Sequence, residues 1–201
     1  MIKEAIAKRA LQSIWLMWES LFDWITKLRS ASIRRYGICK LVVRRHHGRT
    51  LTCYDGHQIV RGDWVGELHL DNRQVLELAR EVGTERAGLS TARMLKKAIK
   101  QICTELDHNP ELGKIRAFTG ITLLHRGIIH GIGFEQHPIE AKWQKRLYGS
   151  YLRLLLSVIH PDGKRRVQHN REQLSPMMLL ISTPALKARF AAAQAYYPNV
   201  I

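Results

Sequence analysis

Segments of alternating apolar and polar residues recur along this chain, and segments with helical spacing lie between them. In residues 37–45, Cys39, Leu41 and Val43 share one side of an extended strand. From Asn72 onward, apolar residues instead recur every three or four positions, as on one face of a helix. This mixture of periods predicts an α+β fold with a mainly antiparallel sheet, helices packed on it and a peripheral N-terminal helix.

The first of two predicted hairpins is centred on a loop at residues 46–48. It would join a strand at 37–45 to a second strand at 49–54. A three-residue loop places Val43 opposite Leu51, which matches apolar residues across the two strands. The pattern therefore predicts that these two segments are neighbours in the sheet.

The second predicted hairpin spans residues 115–135, with its loop at residues 125–127. Its register would place Phe118 opposite Phe134. Both faces of the hairpin are largely apolar, which favours a central position in the sheet.

The remaining elements are predicted from periodicity and from capping residues. Further strands are expected at 57–60, 64–70 and 177–182, and helices at 71–82, 90–106, 141–158 and from Thr183 onward. The three cysteines have no paired spacing, so we interpret them as small buried residues in a reducing compartment.

The N-terminal segment has the spacing of an amphipathic helix, and charged residues interrupt its apolar run too early for a cleaved signal peptide. It is rich in aromatic residues, and Trp15, Trp18 and Phe22 are the expected lipid contacts if the helix lies at a membrane interface. A helix packed on protein remains the alternative. We expect residues 1–35 to form this helix with a basic connector, and residues 36–201 to form the α+β domain.

The charge of the chain indicates a polyanionic partner. It has 32 Lys and Arg residues against 17 Asp and Glu residues, a formal net charge of +15. The densest basic region begins at the helix near residue 142 and continues to residue 171. The candidate ligand-binding residues in this region are Arg146, Arg153, Lys164, Arg165 and Arg166.

Three classes of polyanion fit such a surface: an anionic lipid surface, a lipid-linked glycan and a nucleic acid. The tryptophan-rich N-terminal segment favours the membrane, because nucleic-acid binding has little use for such a helix. No apolar run is long enough to predict a transmembrane helix.

Signatures of common enzyme classes are missing from the sequence. It has no phosphate-binding loop, no dinucleotide-binding fingerprint, no nucleophile elbow and no Cys-x-x-Cys pair, so no cofactor and no metal are predicted. The ten histidines are scattered. The polar residues most expected to converge are His69, His130, Glu135 and His160, because a Glu–His pair within hydrogen-bond reach can exchange protons. The alternative is that His69 lies on a solvated sheet face and Glu135 ends a strand.

Several motifs together resemble the YkoP-like domain of bacilli and their relatives. They are Gly62-Asp63 through Leu68-His69-Leu70-Asp71-Asn72, Gly120-Ile121-Thr122 with His125-Arg126-Gly127, Gly133-Phe134-Glu135, and His160-Pro161-Asp162-Gly163. The segment from Trp15 to Leu28 is also similar, and the resemblance covers roughly residues 10–192.

The resemblance implies a Gram-positive source and a role with envelope polysaccharides or glycolipids, because such domains occur alone or attached to polysaccharide deacetylases. It implies no catalytic residues. The metal-binding Asp and His motifs of the deacetylases are absent here, so a deacetylase is expected only as a partner in trans.

We therefore expect a cytoplasmic accessory or binding protein, peripheral at the inner face of the membrane, that recognises an anionic lipid surface or a lipid-linked glycan. The first alternative is an envelope glycan or lipid enzyme that uses His69, Glu135 and His160. The second is a nucleic-acid-binding protein.

Overall fold

The computed structural model describes residues 30–122, 132–159 and 175–196. Its strands are β1 (Ser32–Tyr36), β2 (Cys39–Arg45), β3 (Leu51–Thr52), β4 (Gln58–Ile59), β5 (Trp64–Leu70), β6 (Ile115–Thr122), β7 (Glu135–Pro138) and β8 (Met177–Ser182). Its helices are α1 (Asn72–Val82), α2 (Thr84–His108), α3 (Pro110–Gly113), α4 (Lys142–Ile159) and α5 (Thr183–Tyr196).

Six of the strands form a mixed sheet in the order β1-β2-β5-β6-β8-β7, and β3 pairs with β4 in a separate small sheet. Strands β5 and β6 are parallel, whereas the other neighbours in the large sheet are antiparallel. The α+β class is therefore confirmed, with one parallel pair in a mainly antiparallel sheet. The predicted N-terminal helix lies outside the described residues.

One face of the large sheet, here called the helical face, is covered by α2 and α5. Leu95, Ile99 and Ile102 of α2 are buried there against Leu41 and Phe118 of the sheet. Leu186 and Phe190 complete this core from α5, as their spacing predicted. Burial of this apolar area is the main source of stability for the fold.

The opposite face of the sheet, here called the polar face, is covered only in part. The β3–β4 hairpin packs Cys53 and Ile59 on Val65, Ala117 and Leu180 in a second, smaller core. Helix α4 lies over another part of this face. Glu67 of β5 and Glu135 of β7 lie on the same face, because the strand register places both in one cross-strand row with Leu180.

The predicted first hairpin is wrong. Val43 lies between Ser32 of β1 and Gly66 of β5, and not opposite Leu51. The tight turn at Gly37, with a φ of +54°, returns the chain so that β1 becomes the first neighbour of β2. The sequence analysis does not predict β1, because it assigns the arginines of this strand to a basic connector.

The predicted second hairpin is also wrong in its pairing. Phe118 lies between Gly66 of β5 and Ile181 of β8, so both edges of β6 are occupied by strands distant in sequence. Glu135 in β7 pairs instead with Leu180 of β8. The central position predicted for β6 is confirmed, whereas the loop at residues 125–127 lies outside the described residues.

The helix predictions agree better with the structure than the predicted strand pairings do. Asp71 caps α1 through its side chain, which accepts hydrogen bonds from the backbone N–H groups of Arg73 and Gln74. Helix α2 begins at Thr84, directly after Gly83, and not at Ser90. Gly83, with a φ of +80°, both ends α1 and begins α2, so no separate capping residue is needed.

The three cysteines, Cys39, Cys53 and Cys103, are buried free thiols, as predicted. Burial raises the pKa of Cys39 and of Cys53 to about 12 in each case. These thiols therefore stay protonated at neutral pH and serve as small core residues.

We predict that Gly66→Ala destabilises the protein by about 1–3 kcal/mol, because the added methyl overpacks the core. A Cβ atom there would lie 2.8 Å from Leu41 Cδ1 and 2.8 Å from Phe118 Cδ1. Gly88→Ala in α2 is the matched control, since nothing lies within 4 Å of its added Cβ. That variant is expected to stabilise the protein by about 0.5–1 kcal/mol. Urea unfolding measures both free energies, and equal values for the two variants would contradict the packing described here.

Candidate functional site

Two Glu-x-His segments of the large sheet place their side chains on the polar face. Glu67 and His69 belong to β5, and Glu135 and His137 belong to β7. The period of a strand is two, so each glutamate and its histidine project from the same side. The register between the strands then determines which residues of the two pairs lie in the same cross-strand row.

The two glutamates lie in one cross-strand row, which runs from Glu67 through Thr119 and Leu180 to Glu135. Two residues further along β5, Lys40 of β2 is opposite His69. At the other side of the sheet, His137 is opposite Met178, and Met178 is opposite Ile121.

The Glu67 carboxylate is held from two sides. Arg44 of β2 donates from Nη2 to Glu67 Oε1, and His69 Nε2 lies 3.5 Å from Glu67 Oε2. Burial tends to raise the pKa of Glu67, but the His69 imidazole and the Arg44 guanidinium outweigh it and bring the pKa to about 2. Glu67 is therefore ionised throughout the neutral range.

Helix α4 approaches this ion pair through Tyr148. Burial and the charge of Glu67 raise the pKa of the Tyr148 hydroxyl. One turn further along α4, the hydroxyl of Tyr151 accepts a hydrogen bond from Asn72 Nδ2 at the start of α1, at 3.3 Å. These contacts place α4 beside β5 on the polar face.

The second pair is held by the β3–β4 hairpin. The buried Glu135 carboxylate accepts the backbone N–H of Tyr54 at 2.7 Å, and its other oxygen lies 3.0 Å from His137 Nε2. The Tyr54 ring is exposed and lies 5.7 Å from the His137 ring, centroid to centroid. The hairpin therefore positions both the carboxylate and the imidazole.

The same turn carries a third carboxylate–histidine pair. His57 Nδ1 lies 3.0 Å from Asp55 Oδ2, which also accepts a hydrogen bond from the hydroxyl of Ser182. Burial tends to raise the pKa of Asp55, but the hydrogen bonds from Ser182 and from the His57 backbone lower it below its usual value. Ser182 Oγ also accepts the N–H of Ala185, so this serine caps α5.

Between the two Glu-x-His pairs, burial differs along the polar face. Thr119 and Leu180, in the row of the two glutamates, are buried, and Leu180 packs with the β3–β4 hairpin. Ile121, near the end of β6, has 38% of its surface exposed. We call this strip of the sheet the trough: it contains Thr119, Ile121 and Met178, and its sides are the Glu67–His69 and Glu135–His137 pairs.

The sequence analysis named His69 and Glu135, and the structure brings them to opposite sides of the trough. They do not bond to each other, because each has a closer partner two residues away on its own strand. His130 and His160, which the sequence analysis also named, lie outside the described residues. His137 and Asp55 were missed, although the repeated acid-x-His spacing in Asp55–His57, Glu67–His69 and Glu135–His137 was a signal for them.

A second feature is the exposed side of α4, here called the α4 surface. Trp143 and Leu147 are four residues apart, and Leu154 follows Leu147 after seven residues, or about two turns, so the three share one side of the helix. The exposed fraction is 67% for Trp143 and 52% for Leu147. Lys142 and Arg146 are exposed beside this apolar stripe.

Two of the five predicted ligand-binding residues lie in the part of the chain that the structure describes. Arg146 lies on the α4 surface, whereas Arg153 is half-buried and has interactions of its own. The other predicted contacts of this kind, Lys164, Arg165 and Arg166, lie outside the described residues, as do Trp15, Trp18 and Phe22.

Two further kinds of site were sought in the same residues. No three side chains of His, Cys, Asp or Glu in the described ranges are arranged to hold a metal ion. Of the helices described, none has the length and apolar character needed to cross a membrane.

A comparison with protein families gives one match. The model of a family described as the YkoP domain matches residues 8–190, which is most of the chain. Neither the curated proteins nor the solved structures contain a match to the chain.

We predict that the Glu67 ion pairs stabilise the fold above about pH 5 and lose this effect as the pH falls toward 2. The pKa is lowered from 4.5 to about 2 on folding, so the unfolded chain binds a proton first. The expected contribution at neutral pH is about 3 kcal/mol.

Urea unfolding of wild type and Glu67→Gln between pH 7 and pH 2.5 measures this contribution. The variant should be less stable at pH 7 and should lose less stability on acidification. Glu77→Gln, at an exposed position of α1, is the control for a general loss of negative charge. Parallel curves for wild type and Glu67→Gln would contradict the assignment.

Proposed function

We propose that this chain, which belongs to the YkoP domain family, is a peripheral membrane protein that binds anionic lipid or lipid-linked glycan through the α4 surface. In this proposal it acts as an accessory protein in envelope polysaccharide or glycolipid metabolism, with a polysaccharide deacetylase as its partner in trans. The observation that carries the proposal is the exposed apolar stripe of α4 beside basic residues.

The stripe has the composition of an interfacial helix. Trp143 and Leu147 expose large apolar side chains, and an indole ring is suited to the boundary between water and lipid. Large exposed apolar residues that adjoin each other mark a contact surface more often than isolated ones do. Buried Gly149 and the half-buried Tyr148 lie on other sides of α4 from the stripe, and Tyr151, at the edge of the stripe, contacts Asn72 of α1.

Electrostatic attraction complements the apolar contact. Lys142 and Arg146 lie next to the stripe, and each basic residue near an anionic bilayer contributes about 1 kcal/mol. The formal net charge of +15 adds a long-range attraction to the same surface. A lipid surface is favoured over nucleic acid, because two aliphatic side chains in the stripe gain nothing from a phosphate backbone.

We predict that Lys142→Ala/Arg146→Ala weakens binding to vesicles that contain anionic lipid by about tenfold or more, because two favourable charge contacts are lost. The matched control is Lys96→Ala/Lys97→Ala, which removes the same charge from an exposed part of α2. Co-sedimentation of the full chain with anionic and neutral vesicles at low and high salt measures the effect. Equal losses in the two double variants would reduce the interaction to net charge and contradict the proposed surface.

Leu147→Ala tests the apolar part of the same surface. Loss of the leucine side chain should weaken vesicle binding at high salt, where charge is screened. Leu89→Ala is the matched control, since Leu89 on α2 is 57% exposed against 52% for Leu147. Unchanged binding of Leu147→Ala would place the lipid contact elsewhere.

A further inference from the structure

We propose that the outer side of α2 binds the phosphate backbone of duplex nucleic acid through a row of basic side chains. This row, here called the α2 ridge, consists of Arg86, Arg93, Lys97 and Lys100, with Lys96 at its margin. The proposal goes beyond membrane binding, because α2 covers the helical face of the sheet whereas α4 lies on the polar face.

The α2 ridge lies on the side of the helix that is turned away from the sheet. All of its basic residues are exposed. An α-helix turns by about 100° per residue, so the members other than Lys96 fall within a sector about 60° wide. Leu95 and Leu106, which are buried in the core of the helical face, are on the opposite side of α2. The cations are therefore the part of α2 that a large partner meets first.

The length of the ridge suits a polymer rather than a small anion. Helix α2 is a single helix from Thr84 to His108. A rise of about 1.5 Å per residue makes the row from Arg86 to Lys100 about 21 Å long. Duplex DNA carries one negative charge for about every 1.7 Å of its axis, so a row of this length passes several phosphates.

In the part of the chain that the structure describes, acidic residues leave the charge of the ridge uncompensated. Residues 86–104 contain five basic residues and no acidic residue. None of the five forms an ion pair with another described residue. The acidic residues that follow have partners of their own, since Glu105 accepts from the Tyr36 hydroxyl and Asp107 from Lys187.

The helices beside α2 do not reverse this positive charge. Helix α1 has two basic and two acidic residues, and α5 has two basic residues and no acidic residue. An excess of positive charge on one surface is the electrostatic footprint of a polyanion-binding protein.

The chemistry of the ridge favours a phosphate backbone over a lipid surface. An interfacial helix inserts its apolar side into the bilayer, whereas α2 uses its apolar side in the core of the protein. Leu89 is exposed beside the ridge, but α2 contains no Phe, Trp or Tyr that would anchor it in a membrane interface. Binding to a phosphate backbone is mainly electrostatic, so it needs the cations alone.

The same composition favours a duplex over a single strand. Proteins that bind single strands stack the bases on aromatic side chains, and α2 offers none. Cations on a helix have fixed spacing, which suits the regular rows of phosphates in a duplex. Phosphate contacts carry no sequence information, so we expect binding that does not depend on sequence.

Fluorescence anisotropy of a labelled DNA duplex of about 20 bp, with the full chain at about 50 to 200 mM salt, tests the proposal. Lys97→Ala/Lys100→Ala should make the slope of log K against log salt concentration shallower by about 2, because two phosphate contacts are lost. The matched control is Lys142→Ala/Lys145→Ala, which removes two exposed lysines with the same spacing from α4 and should keep the wild-type slope. Equal slopes for the two double variants would overturn the proposal.

Two further measurements identify the class of ligand. Wild type should bind two duplexes of unrelated sequence equally, and each more tightly than a single strand of the same length. Tighter binding of the single strand, or of one duplex, would overturn the assignment to a duplex backbone. Lys97→Ala/Lys100→Ala should keep wild-type binding to anionic vesicles at high salt, and a loss there with an unchanged DNA slope would assign the ridge to lipid instead. The DNA measurement contains no lipid, so its failure leaves the proposed membrane binding by α4 untouched.

Discussion

The parallel pairing of β5 with β6 governs the rest of this structure. Two parallel neighbours cannot be joined by a turn, so the chain must cross one face of the sheet between them. Here α1, α2 and α3 form that crossover, and the apolar side chains of α2 fill the helical face. Trp64, Leu68 and Leu70 of β5 pack on that core. Glu67 and His69 lie on the other face, because side chains alternate along a strand.

The register of the sheet then decides which polar groups meet. Strand β7 pairs with β8 so that Glu135 joins the row of Glu67, although the two residues are far apart in sequence. Each carboxylate is satisfied locally: Glu67 by Arg44 and His69, Glu135 by His137 and the N–H of Tyr54. A carboxylate that has two partners can remain ionised when largely removed from water, and it fixes the imidazole beside it.

Sequence patterns predict the features that depend on local spacing. They do not predict which strands pair when segments distant in sequence can take the same place in the sheet. The periodicity of α1 and of α4, the span of β5 and the inward positions of Leu186 and Phe190 are local, and the structure confirms them. Both predicted hairpins are wrong because β1 and β8 provide better neighbours than the adjacent segments do. His69 and Glu135 were identified, but their separate partners follow from the sheet register, which no pattern in one sequence reveals.

Helix α4 lies between the Glu67–His69 pair and the α4 surface. Its inner side brings Tyr148 to the Glu67–His69 pair, while its outer side exposes Trp143 and Leu147. A helix is about 10 Å across, so a surface bound by the outer side lies close to the trough. Paired charges on a sheet face contribute less to stability than an apolar face would, and the helical face shows that this fold can form one. The two Glu-x-His pairs therefore lie on the face of the sheet that the main apolar core does not use, on the same side of the sheet as α4.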